Sequence, residues 1–268
     1  MKTFTAEERK KIILDYVKKN EFVDIAYLKN TLDVSEMTIR RDLRKLEADN
    51  SLVRVLGGAR SIPSGMYEDP VEKRVKFHAE EKERIARYAA SMVNEGDSIF
   101  MDASSTIYAM AEYLDVHVTV ITNNISICLK LKDKEKIDVI LIGGDLRKSA
   151  MSLVGAEAVR MLENYYVDKA FLSSKAVDSV HGISDATRDE AEVKKAMIRS
   201  SREVYFLVDH HKLENRAFYK VCGLDEITAL IVDESKEKYV EEFITECEKK
   251  NQHVYCVKED MLKKKEGV

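Results

Sequence analysis

The chain has 268 residues, 45% apolar and 34% charged, with a net charge of −4, which allows one or two domains with substantial cores. No run approaches the roughly 18 apolar residues that a membrane helix needs, and no apolar signal segment follows the charged N-terminus, so a cytoplasmic protein without a membrane partner is expected. Cys128, Cys222, Cys247 and Cys256 form no Cys-x-x-Cys pair, which argues for reduced thiols without a structural metal, and no cofactor is expected.

In chain order, Thr5-Ala6-Glu7-Glu8 fits a capping box opening a helix to about Asn20, with Ile12, Ile13, Tyr16 and Val17 on its apolar side. A second helix, capped by Asp24, is expected over Ile25 to Leu32, its Ile25, Leu28 and Leu32 spaced to pack on a third. Ser35 is a good N-cap for that third helix, in which Ile39, Leu43 and Leu46 repeat at i, i+4 and i+7 as one buried stripe. At about 100° per residue, Met37, Arg41 and Arg44 project from the opposite side, with Arg40 on its flank and Thr38 near the first turn. An arginine fork can pair with guanine or clamp a phosphate, a methionine can touch a thymine methyl, and Ser35 and Thr38 at a helix start can bind phosphate. Taken alone, the same face also fits a solvated basic surface.

After Asn50-Ser51, a β-prone run from Leu52 to Leu56 is stopped by Gly57-Gly58. Three helices and a small hairpin make a winged helix-turn-helix, with Arg54 and Arg60 of the wing placed to reach backbone phosphate. Residues 1–60 hold 13 Lys and Arg against 10 Asp and Glu, so this part carries +3 and the remainder −7. The positive charge is local to the motif, as DNA binding requires.

Pro63 and Pro70, the only prolines, lie with Gly65 in a stretch without helical or strand period, read as a linker over 61–78 between a domain at 1–60 and one at 79–268. Its far end grades into a salt-bridge-laced helical pattern around Glu80 to Ala86. From Asp97 onward, short apolar runs (98–101, 118–121, 139–142, 170–172, 204–208, 230–232 and 254–257) alternate with helical patterns (107–114, 125–131, 154–164, 190–200 and 236–249). Such alternation predicts an α/β fold, an open Rossmann-like parallel sheet with crossover helices.

In such a sheet the ligand crevice lies outside the carboxyl ends of the strands. Asp102, Ser104, Ser105 and Thr106 follow the first strand, Thr122 and Asn123 the second, and Gly143-Gly144 the third. Ser173-Ser174-Lys175 and Asp209-His210-His211-Lys212 follow later strands, each bringing an ammonium that can pair with phosphate. Each cluster alone also reads as a cap, a turn or a solvated strand end; their convergence on one sheet edge points to an anion-binding crevice. His210 and His211 are left out of a metal site, because adjacent residues of a strand point to opposite faces.

Val34-Ser35, Thr38-Ile39-Arg40-Arg41-Asp42-Leu43, Arg54 and Gly57-Gly58-Ala59 resemble the N-terminal domain of the DeoR family of bacterial transcription regulators. That family carries a C-terminal sensor domain similar to ribose-5-phosphate isomerase and glucosamine-6-phosphate deaminase, and Asp102 to Thr106, Thr122-Asn123, Gly143-Gly144, Glu190 to Ile198 and Asp209 to Lys212 match its recurring features. The resemblance implies a repressor of a sugar-metabolism operon that binds double-stranded operator DNA as a homodimer or homotetramer and answers to a phosphorylated sugar. Ser104 and Ser174-Lys175 depart from glycines common in relatives, and Gly182 to Asp185 with Arg188 read either as a loop closing the crevice or as caps of the helix near Glu190. Two alternatives stay open. One is a sugar-phosphate isomerase or deaminase with a DNA-binding extension, using Asp102 or Asp209 as base and Lys212 as anion stabiliser; the other is a nonspecific DNA architectural protein.

Overall fold

The first helix, α1 (Ala6–Asn20), opens on the reciprocal cap its sequence predicts: the Glu8 backbone N–H donates to Thr5 Oγ1 at 3.3 Å, and the Thr5 N–H donates to the Glu8 carboxylate at 2.8 Å. In this computed structural model, residues 4–20, 22–48, 51–55, 57–60, 71–259 and 261 are described. A short strand β1 (Phe22–Asp24) leads into α2 (Ile25–Leu32), whose first turn is capped by Asp24 accepting from the Tyr27 N–H at 2.6 Å. Then come α3 (Glu36–Ala48), β2 (Val53–Val55) and β3 (Gly58–Arg60). Ile13, Val17, Leu28, Leu32, Ile39, Leu43, Leu46 and Leu52 form the core of this unit, Met1–Asp69. A buried ion pair, Arg9 to Asp42 at 2.8 Å, ties α1 to α3.

The wing is larger than a hairpin. Strand β1 pairs antiparallel with β3, making a three-stranded sheet in the order β1-β3-β2. Phe22-Val23-Asp24 is too short to show an alternating pattern. Gly58 records the pairing: a Cβ there would lie 2.1 Å from the Val23 carbonyl oxygen, so only glycine lets β3 sit this close to β1.

The second unit, Pro70–Val268, starts with α4 (Val71–Lys76) and α5 (Ala79–Ala90). Helix α4 occupies part of the segment read from sequence as linker; Pro63, Gly65 and Pro70 fall outside the described residues, as do Asn50, Leu56 and the lysines at 263–265. There follow β4 (Ser98–Met101), α6 (Ser105–Met110), β5 (Val118–Thr122), α7 (Ile125–Leu131), β6 (Ile137–Leu141) and the hairpin β7 (Asp145–Arg147) with β8 (Ser152–Val154). Next are α8 (Ala156–Leu162), β9 (Val167–Leu172), β10 (Ala176–Asp178), β11 (Gly182–Asp185), α9 (Arg188–Arg199) and β12 (Ser201–Val208). The described chain closes with β13 (Tyr219–Cys222), β14 (Ala229–Asp233), α10 (Lys238–Lys249) and β15 (His253–Val257).

All seven expected strands join one parallel sheet in the order β15-β14-β12-β9-β4-β5-β6. Both faces are buried, as the unbroken apolar runs require. Ile99, Met101, Phe171, Tyr205 and Leu207 pack with α5, α6 and α7, while Phe100, Leu172, Phe206 and Val208 pack with α8, α9 and α10. Two excursions were not expected: the β7-β8 hairpin, and an antiparallel sheet β10-β11-β13. Gly182 to Asp185, read as a loop or cap, is strand β11; it is held by hydrogen bonds to both neighbours, and Thr187 is the N-cap of α9.

Candidate functional site

Helix α3 presents the surface its periodicity predicts. Ser35 accepts from the Thr38 N–H at 3.2 Å, which fixes the first turn, and Ile39, Leu43 and Leu46 are buried. Met37 is 76% exposed, and Arg40, Arg41 and Arg44 are exposed on the same side, with Thr38 half-buried. Within that row Arg40 is paired with Glu36 at 2.7 Å, an exposed and weak pair. Arg54 differs from the arginines of α3: it is half-buried and held to Glu47 of α3, its guanidinium 3.3 Å from the carboxylate, so it braces the wing against α3. Arg60 is exposed at the end of β3.

In the second unit the strand order places a topological switch between β4 and β9: the chain runs outward from β4 through β5 to β6, then returns to β9 on the other side of β4. Helices α6 and α9 lie on opposite faces of the sheet there, the position at which open α/β sheets form their ligand crevice. Asp102 and Ser173 follow the two strands, and Asp102 Oδ2 accepts the Ser173 N–H at 2.9 Å, bridging the switch. Lys212, from the turn after β12, donates to Ser173 Oγ at 3.2 Å and lies 3.6 Å from Asp209. Burial alone would raise the Asp209 pKa; Lys212, Lys82, His78 and His211 outweigh it and hold the carboxyl below its ordinary range.

On the other side of β4, Thr122 donates to the Met101 carbonyl at 2.7 Å and accepts from the Asn124 N–H, so its hydroxyl ties strand ends together. Asn123 donates to the Leu153 carbonyl at 3.1 Å, leaving its Oδ1 buried without a hydrogen-bond partner among the described residues, as are Asp102 Oδ1 and Thr106 Oγ1. Ser104 is the N-cap of α6, accepting from the Ile107 N–H at 3.3 Å, with Ser105 and Thr106 buried in the first turn. Lys175 follows Ser173 and Ser174, half-buried.

Asp102, Ser105, Thr106, Asn123, Ser173, Asp209 and Lys212 thus belong to the ends of four consecutive strands, β12-β9-β4-β5, and Gly143 and Gly144 to the end of the next one. They follow edge strand β6, two strands from β4 and four from β12, which is about 10 and 19 Å at the usual strand spacing. Gly144 also has a packing role, whereas Gly143 faces open space. A Cβ at Gly144 would lie 2.5 Å from the Val154 carbonyl oxygen, so glycine lets the β7-β8 hairpin seat against the sheet.

Lys194, which lies on a helix and follows no strand, joins the same cluster. Fully buried on α9, it lies 3.2 Å from both Asp102 and Asp185 and 3.8 Å from Glu190. Burial alone would depress its pKa; the three carboxylates reverse that and raise it, so the ammonium stays charged. Glu190 also accepts from Ser152 Oγ at 2.6 Å and Arg147 at 3.1 Å, bringing the β7-β8 hairpin into the same network. The Glu190-x-x-x-Lys194 spacing puts both on one helix face beside buried Ala191 and Met197, which was the available signal. Lys82 was also missed: buried on α5, it donates to the carbonyls of Arg74 and Phe77, and burial with nearby Lys212 lowers its pKa to about 8.

Among known proteins, residues 9–64 match the family model described as the DeoR-like helix-turn-helix domain and residues 77–234 the one described as the DeoR C terminal sensor domain. The HTH-type transcriptional repressor GlcR of Bacillus subtilis (strain 168) is 40% identical over 85% of this chain and 88% of its own length. The lactose phosphotransferase system repressor of Staphylococcus aureus (strain N315) is 36% identical over 84% of this chain and 88% of its own. Among solved structures, ribose 5-phosphate isomerase A from Methanocaldococcus jannaschii aligns at a TM-score of 0.38 with 19% identity over 51% of this chain and 55% of that one. The sorbitol operon regulator SorC of Klebsiella pneumoniae aligns at 0.36 with 12% identity over 77% and 90%.

Proposed function

The chain belongs to the DeoR family of transcription regulators, and from that premise we propose that it represses a sugar-metabolism operon and is released from its operator by a phosphorylated sugar. Helix α3 enters the major groove, with Arg41, Arg44 and Met37 directed at base edges and Ser35, Thr38 and Arg40 at the backbone, while Arg60 extends the contact from the wing. Arg54 supports the wing through Glu47. A homodimer or homotetramer supplies a second α3 for the other half-site.

The observation that carries the sensor reading is the pairing of charge and orphaned acceptors at one switch point. Lys212 and the Ser105 and Thr106 N–H groups, which the start of α6 leaves without an i−4 partner while Ser104 caps Ile107, suit a phosphoryl group. Asp102 Oδ1 and Asn123 Oδ1, buried acceptors in want of donors, suit sugar hydroxyls. Lys194, with Asp185 and Glu190, holds Asp102 in place beneath them. The same details disfavour an isomerase or deaminase, because an ionised Asp209 below the usual carboxylate range is a weak general base and Asp102 is already occupied by Ser173 and Lys194.

Paired substitutions separate the two roles. Arg41→Ala should lose operator affinity by about 1–3 kcal/mol while binding sugar phosphate as before; Lys212→Ala should do the reverse. A Lys212→Ala protein that folds and binds every sugar phosphate as tightly as the unsubstituted chain sinks the assignment of the crevice.

A further inference from the structure

The turn after β12 corrects one premise read from sequence. His210, His211 and Lys212 form a 3-10 turn, so the alternation of a strand does not apply to them. The His210 ring is committed to Asp233, its Nδ1 lying 2.7 Å from Oδ2, but the His211 ring is exposed and stacks on His78 with centroids 3.8 Å apart. His78 is the N-cap of α5, and its side chain makes no capping hydrogen bond. Its backbone is left-handed, φ 53° and ψ 47°, a conformation that costs a non-glycine residue of order 1 kcal/mol. Glu81 stands three residues on, on the same side of the helix.

From this juxtaposition we propose that His78, Glu81 and His211 form a binding site for a divalent transition metal of the zinc class, beside the effector crevice. One ligand atom from each of the three lies within 4.8 Å of the others. Ligands about 2.0–2.1 Å from a tetrahedral zinc are ~3.3 Å apart, so side-chain rotations of about 1 Å close the set. Two imidazoles and one carboxylate are a known zinc donor combination, and they leave a fourth position for water. Among the described residues no hydrogen bond or ion pair competes for the Glu81 carboxylate or for either of these two rings. The positive end of α5 is offset by Glu80 and Glu81 in its first turn. His210 backs the site, its ring 3.9 Å from that of His211 and anchored by Asp233. A bound ion joins the start of α5 to the turn that carries Lys212 and adds positive charge next to Asp209. This site is independent of the sugar-phosphate reading.

Cobalt(II) titration of the full-length protein tests it, followed by zinc(II) displacement. The expected result is one cobalt per chain, d–d absorption of a tetrahedral or five-coordinate N/O site, and loss of that spectrum on adding zinc. His211→Ala, at an exposed position, and Glu81→Gln, which keeps the side-chain shape, should each weaken binding at least about tenfold, the lower end of what loss of even an outer hydrogen bond costs a metal site. Thiolate-to-cobalt charge-transfer absorption, which would place the ion on a cysteine, overturns the proposal; so does affinity unchanged in both variants, or no saturable binding.

Discussion

At the scale of single residues, the second unit depends on where charge is compensated. Lys194 neutralises a cluster of carboxylates from three elements, and removing it leaves Asp102, Asp185 and Glu190 buried against one another. Lys194→Met should lower unfolding free energy by about 3–5 kcal/mol in a urea titration, the cost of breaking a buried pair from one side; a loss under about 1 kcal/mol would mean that the network is dispensable. Lys82 gives a pH signature of opposite kind. Its folded pKa near 8 lies below the ordinary 10.5, so between those values the unfolded chain holds a proton that the folded chain has released. Stability contributed by this group therefore rises with pH across that window, and Lys82→Met should flatten the rise when the two proteins are compared from pH 7.5 to about 9.5. Sugar-phosphate affinity should move the other way, falling as pH passes about 8, because the crevice loses a cation near Lys212.

At the scale of elements, local signals and tertiary ones separate cleanly. Helices α1, α2 and α3 were legible because cap and stripe lie within a few residues: Thr5 with Glu8, Asp24 with Tyr27, Ser35 with Thr38. The seven parallel strands were legible because burial on both faces leaves continuous apolar runs. Strand β1 and the sheet β10-β11-β13 were not, since three- and four-residue strands such as Phe22–Asp24 and Gly182–Asp185 take their identity from distant partners. The site shows the same division. Asp102, Asp209 and Lys212 were candidates by their positions after strands, whereas the Glu190-x-x-x-Lys194 spacing marks only a helix face, and its contact with Asp102, 92 positions away in sequence, comes from the fold. Gly144, a candidate only as a strand end or a turn, also packs tightly against Val154, a tertiary contact that no local pattern announces. The cap of α3 gives a test at this scale. Ser35→Ala should cost the first unit about 1 kcal/mol and weaken DNA binding further than that loss alone explains, since the same turn presents Thr38 and Met37. Equal effects on stability and DNA affinity would confine Ser35 to capping.

For the whole molecule, regulation requires that the sugar phosphate distinguish two states of the chain, since a ligand that binds both equally shifts nothing. Linkage makes the effect reciprocal: a ligand that weakens operator binding by a given factor must itself be bound more weakly by the operator complex by that factor. The charge distribution fits this division, with +3 on residues 1–60 and −7 on the rest, so DNA attraction is confined to the unit that reads it. The central claim is that the crevice at the β4-β9 switch controls α3. It is tested most directly by measuring the affinity of the full-length protein for a duplex selected from random DNA, as a function of the concentration of each sugar phosphate that raises its melting temperature. The account predicts that one such ligand lowers DNA affinity by about 5- to 150-fold, corresponding to 1–3 kcal/mol of coupling, and that Lys212→Ala abolishes the shift while binding the duplex normally without ligand. DNA affinity that stays constant while the crevice is saturated with every such ligand would contradict it.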